Sequence, residues 1–314
     1  MKKQLALALG LLFVIVALAG CGKSTKPTSS LSTNGGGASA TDIAQVNDAL
    51  AANPGYVNED VFTTSSPTLM SGAEPAGGMP PLRPFRWWRM IDSTTRVIDT
   101  QFGDPDTAGR PRSALVTVTR DLFGTFNVVP FDSATHTAGP VVHKPLHDTW
   151  VRKLAFQRVR WTSDSLNWRW DWRVVGTSGV DVTSENATTH IVSVRIQSGV
   201  TDTTITDPLA LHRLHRVLWL HAHDAPVHVT VTTTKPDDQV FLYRTFDRRR
   251  FTANGDNTYS LDFLDADDFR GMRNFGVNAL SKGTLMDDNS PYDSQAWVLP
   301  YGLHLGDCAV VDRH

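Results

Sequence analysis

The chain has 314 residues, is 40% apolar and 20% charged, and carries a formal net charge of -2. That balance excludes a disordered chain and supplies no basic field for a nucleic-acid partner. Its acids are nearly all aspartate, with Glu59, Glu74 and Glu185 the only glutamates, a mix that disfavours long surface helices and suits strands and turns.

The first element is a leader. Lys2 and Lys3 precede an apolar run over residues 5–19, which ends in Leu18-Ala19-Gly20-Cys21. The run is too short to span a bilayer as a mature helix, and its small residues before the cysteine suit a signal peptidase. On these residues the leader resembles that of bacterial lipoprotein precursors. The resemblance covers the leader alone and implies removal of residues 1–20, with diacylglycerol on the Cys21 thiol and a fatty acid such as palmitate on its amino group. Membrane lipid is then a partner through acylated Cys21. Gly22, where an aspartate tends to retain such proteins in the inner membrane, implies the outer membrane in a Gram-negative host. Several acyl chains at about 0.8 kcal/mol per buried CH₂ anchor firmly. Lipidation uses one of the two cysteines, so no disulfide framework forms, and Cys308 reads as a small apolar residue more readily than as a nucleophile.

Residues 21–40 form the lipidated cysteine and a flexible tether, rich in Ser, Thr and Gly, with a typical reach of about 25 Å. Residues 41–85 hold a short helix and a lead-in. Thr41 is the expected cap, Ile43, Val46 and Leu50 share one face, and Asn53-Pro54-Gly55 ends the helix. Five prolines between 65 and 84 make the lead-in extended and irregular.

Residues 86–314 read as a β-rich domain of short alternating runs. Residues 114–119 and 122–129 are candidate strands. Residues 167–175 put Trp168, Trp170 and Trp172 on one face and Arg169, Asp171 and Arg173 on the other. Val192, Val194 and Ile196 alternate with polar residues, as do Val227, Val229 and Val231. Asn254-Gly255-Asp256-Asn257 is a hairpin turn signal. The fold class expected is mainly β, with antiparallel sandwich-like sheets, either one large sandwich or two joined near 207–208 or 235–237. A membrane barrel is disfavoured because the runs are short and carry arginine on both faces. Trp297 and Tyr301 either fill the end of the core or belong to a recognition loop.

Phosphate-loop, dinucleotide, nucleophile-elbow and zincin motifs are all missing. Three weaker clusters remain. His221 and His223 share a side if the segment is a strand, with Asp224 or His228 able to complete a metal site; exposed hairpin histidines are the simpler reading. Trp168, Trp170 and Trp172 form either core packing or a platform for glycans. Residues 265–268 and Asp287, Asp288 and Asp293 are turn aspartates or calcium ligands, although the spacing is not that of an EF-hand. The functional expectation is a membrane-anchored extracytoplasmic lipoprotein with a non-enzymatic binding or structural role, partnered by an envelope protein or glycan. The alternatives are a metal-dependent hydrolase at His221 and His223 and a glycan-binding module at the tryptophans. No cofactor is expected outside the hydrolase and calcium readings, which require zinc or calcium.

Overall fold

The structure is a computed structural model that describes residues 32–33, 38–54, 68–69, 82–132, 135, 137–162, 168–214, 218–221, 226–244, 247–264 and 272–304. The leader with Cys21, together with His223, Asp224, residues 265–268 and Cys308, lies outside the described residues.

The chain is mainly β and antiparallel, as the alternation predicts. Its dominant motif is a meander of four long strands: β1 (Leu82–Phe102), β2 (Ser113–Asp132), β3 (Val142–Thr162) and β4 (Trp168–Ser184). These strands correct the expectation of short runs. Residues 114–119 and 122–129 are one strand, because the alternation continues through Arg120 and Asp121 without a turn. Arg120 keeps the inward register and lies over the Trp150 ring at 5.6 Å. A bulge at Ile91/Ser93 bends β1 against β2, and Gly124 is required there, since a Cβ would run into the Met90 carbonyl.

Later strands are β5 (Ile191–Ser198), β6 (Thr201–Ile205), β7 (Leu218–His221), β8 (Val227–Thr233), β9 (Gln239–Arg244), β10 (Asp247–Arg250), β11 (Thr258–Phe263), β12 (Met272–Leu280) and β13 (Ser294–His304). The large sheet runs β1-β2-β3-β4-β13-β12-β9-β10, and a small sheet runs β11-β8-β5-β6. Two edges of β13 are used: β12 takes one, while β4 and then parallel β7 share the other. The large sheet curls strongly. Trp87 on β1 packs 5.2 Å from Phe241 and 5.9 Å from Tyr243 on β9, although β2, β3, β4, β13 and β12 lie between those strands in the sheet.

Two cores result. Inside the curl lie Trp87, Phe126, Trp150, Leu154, Phe156 and Trp172, with Val46 and Leu50 of helix α1 (Ala40–Ala51). On the outer side of β9, β12 and β13 the small sheet contributes Val194, Ile196, Val227, Val229 and Val231, which pack with Phe275, Val277 and Trp297. Of those three strands β9 and β13 send apolar side chains to both cores, whereas β12 turns the buried Asn278 inward. Val240 and Leu242 serve one core and Phe241 and Tyr243 the other. Trp297 and Tyr301 fill the second core. Val192 departs from its expected face and is exposed, because the pairing of β5 with β8 slips at Thr232/Thr233 and passes over it. The 254–257 turn forms as read, with Gly255 and Asn257 at positive φ.

Candidate functional site

Helix α1 sets up the site. Its cap is Ser39, two residues earlier than the expected Thr41. The Ser39 hydroxyl accepts from the Asp42 backbone N–H, and the Asp42 carboxylate reaches back to the Ser39 backbone and hydroxyl, closing a capping box. Asp42 then ties the helix to the sheet, accepting the Trp172 indole N–H at 3.2 Å and lying 3.5 Å from the Arg158 guanidinium. Burial opposes the Asp42 charge, but the Ser39 and Trp172 hydrogen bonds and Arg158 outweigh it and hold its pKa below the ordinary value.

Beyond this contact one edge of β4 is only partly paired among the described residues. The strand pairs with β3 along its whole length, but on its other side β13 reaches only 180–183 and residues 212–213 only 176–177. Residues 168–175 have no second strand partner among the described residues. Between this edge and α1 runs a groove of about 470 Å³, walled by Gln45 and Asp48 of the helix, by Asn53 just past its end and by Asp171, Trp172 and Arg173 of the strand. Strand residues of both faces reach it because it lies along an edge. The Gln45 side-chain oxygen is shielded from solvent and accepts no hydrogen bond from the described residues.

The three tryptophans do not share one exposed platform. Trp172 is 1% exposed and packs edge-on against Phe102 at 5.6 Å, whereas Trp170 is 47% exposed with Arg158 5.9 Å from its ring. Helix α1 covers one and stops short of the other. Of Trp168 the backbone alone is described.

His221 ends β7, in register with His304 of β13. His228 does not complete a site with it: its Nδ1 lies 2.6 Å from the Asp262 carboxylate and its Nε2 3.2 Å from the Thr230 hydroxyl, so both ring nitrogens are engaged on the small sheet. Two of the described aspartates of the calcium reading, Asp287 and Asp293, are likewise occupied. Asp287 accepts from the Asn289 backbone and the Ser290 hydroxyl, and buried Asp293 accepts from the backbones of Thr188 and Thr189. Among the described residues no group of three His, Cys, Asp or Glu side chains is close enough to hold a metal.

A second polar cluster is sealed inside the curl. Arg89 donates to the Tyr292 hydroxyl at 2.8 Å and to Ser294 at 3.2 Å, and lies 3.6 Å from Asp148, which accepts from Tyr292 at 3.0 Å. Trp87 and Tyr292 flank the guanidinium at 5.5 and 5.6 Å. Burial pushes the Asp148 carboxyl up, and Arg89, Tyr292 and His147 only partly oppose it. With every member buried, this network holds the 281–293 segment in place and offers no surface to a substrate. Nearby, Lys144 donates to three carbonyls, those of Gly283, Asp287 and Ser290.

Sequence reasoning missed the groove and this network. The groove residues read as ordinary wet faces, and nothing in the sequence marks β4 as an edge. No protein-family profile matches the chain, and no curated protein or solved structure matches it either.

Proposed function

We propose that the protein is a lipid-anchored envelope protein, held by acylated Cys21, that works by binding, with its ligand in the groove between α1 and β4. The observation that supports this reading most is the groove of about 470 Å³ between α1 and β4, with its mostly polar walls. Ligand sites of about 300–1,000 Å³ are typical. A glycan is the ligand class best matched to these walls. Amides, carboxylates and a guanidinium bond to sugar hydroxyls, and exposed Trp170, next to Asp171 on the strand, offers an apolar face for a sugar ring.

Two measurements test the two parts. Cys21→Ala is expected to move the protein from the membrane to the soluble fraction and to end fatty-acid labelling; continued membrane association sinks the anchor. Titration of the protein with envelope polysaccharide is expected to change indole fluorescence, with the response lost in Gln45→Ala and Trp170→Ala. An unchanged signal at saturating polysaccharide rules out the glycan reading.

A further inference from the structure

Strand β8 sends Val227, Val229 and Val231 into the second core, so His228 and Thr230 stand two residues apart on its wet face. Antiparallel β11 sets Asp262 opposite His228 and Ser260 opposite Thr230. The register thus lines up a carboxylate, an imidazole and a hydroxyl. The His228 Nδ1 lies 2.6 Å from the Asp262 carboxylate, and its Nε2 lies 3.2 Å from the Thr230 hydroxyl. Chemistry sets the direction of both bonds. A carboxylate only accepts, so the ring proton sits on Nδ1; the neutral ring then accepts at Nε2, and the Thr230 hydroxyl donates to it. A hydroxyl that donates to an imidazole, itself oriented by a carboxylate, is the arrangement of a nucleophile, its base and the group that positions the base. Solvent reaches it, since the His228 and Asp262 side chains are 40% and 70% exposed.

From this geometry we infer that Thr230, His228 and Asp262 form an acyl-transfer site for small esters on the outer face of the small sheet. The Thr230 oxygen bonds to the ester carbonyl carbon as its proton passes to the His228 Nε2. The bond from that carbon to the alcohol oxygen then breaks, and the alcohol leaves with the proton. Water attacks the acyl-threonine in the same way, giving a proton to Nε2, which returns it to the Thr230 oxygen as the acid departs. Asp262 is a positioning residue: it fixes the ring and its tautomer and does not touch the ester. The row lies on an open sheet face, so the acyl groups that fit are small, unhindered ones that need no pocket. On this face water solvates the carbonyl oxygen as it turns negative, which makes for slow turnover. The inference goes beyond the groove reading and stands or falls without any glycan bound there.

The experiment uses the full chain in detergent with p-nitrophenyl acetate as the probe, and reads nitrophenol release against buffer alone. Release above the buffer rate is expected, and Thr230→Val and His228→Ala are each expected to lower it about a hundredfold or more. Asp262→Asn is expected to lower kcat with KM unchanged, and Asp262→Glu to recover part of the loss. A second readout needs no variant to fold: an acid-quenched digest of the native chain is expected to carry acetyl on Thr230. The inference is overturned by release no faster than in buffer, by release that survives Thr230→Val, as direct attack by the imidazole would give, or by a digest without acetyl on Thr230.

Discussion

The two cores differ in what they bury. The small-sheet side is almost wholly apolar, with Val194, Ile196, Val227, Val229 and Val231 facing Phe275, Val277 and Trp297. The interior of the curl instead carries Arg89, Lys144, Arg152 and Asp148 at 4% exposure or less, among its tryptophans. A flat sandwich excludes water by alternation alone. A sheet rolled onto itself brings distant strands and a connecting segment into one space, and that segment's backbone carbonyls need donors, which Lys144 supplies. Charges buried in this way add little net stability when paired and cost much when one partner is removed.

Substitutions sharpen that contrast. Arg89→Met is expected to cost about 3–5 kcal/mol at neutral pH, because it leaves the Asp148 charge in the interior without its buried cation. The loss is expected to shrink on acidification. A carboxyl whose folded pKa is raised favours the folded state fully below its unfolded value of 3.8 and loses that contribution as pH rises through the raised value. Denaturant unfolding at pH 4 and pH 7 measures both; an equal loss at the two pH values contradicts the role given to Asp148. Phe275→Ala in the apolar core is expected to cost a similar amount, about 3–5 kcal/mol, with the same loss at both pH values.

Tyr292→Phe removes one hydroxyl that accepts from Arg89 and donates to Asp148, for an expected loss of about 1–3 kcal/mol. Asp42→Ala removes the capping box and the Trp172 bond, and about 1–2 kcal/mol is expected, by the same unfolding measurement. Because the folded pKa of Asp42 is lowered, its contribution is present above 3.8 and fades as pH falls through the lowered value, opposite in sign to Asp148. Trp170→Ala is expected to change stability by no more than about 0.5 kcal/mol while abolishing the fluorescence response to polysaccharide.

How much was legible follows the same division. The valine strands and the 254–257 hairpin were readable because each strand has one wet face, and alternation encodes that directly. The long strands β1 to β4 were not, because Arg120, Arg152 and Asp148 occupy inward positions and break the apolar period at those points. Helix α1 was readable from Ile43, Val46 and Leu50, but its start was misplaced because an aspartate, Asp42, fills the capping-box position usually held by Glu or Gln. The groove depends on which strand edge is left partly paired, and the backbone of His304 comes into register with that of His221 only through a long-range parallel pairing. Local sequence patterns carry neither.

The pairing of β4 with β13 joins Val180 to Val298, across about half of the domain's length. Both cores lie beside strands that this pairing brings in last, so the meander stays open along β4 until nearly the whole polypeptide has been made. Contacts so distant in sequence make for slow folding, with bare strand edges exposed to aggregation in the meantime. A chain cut short before Ser294 loses β13, which supplies Ala296 and Val298 to one interior and Trp297, Leu299 and Tyr301 to the other.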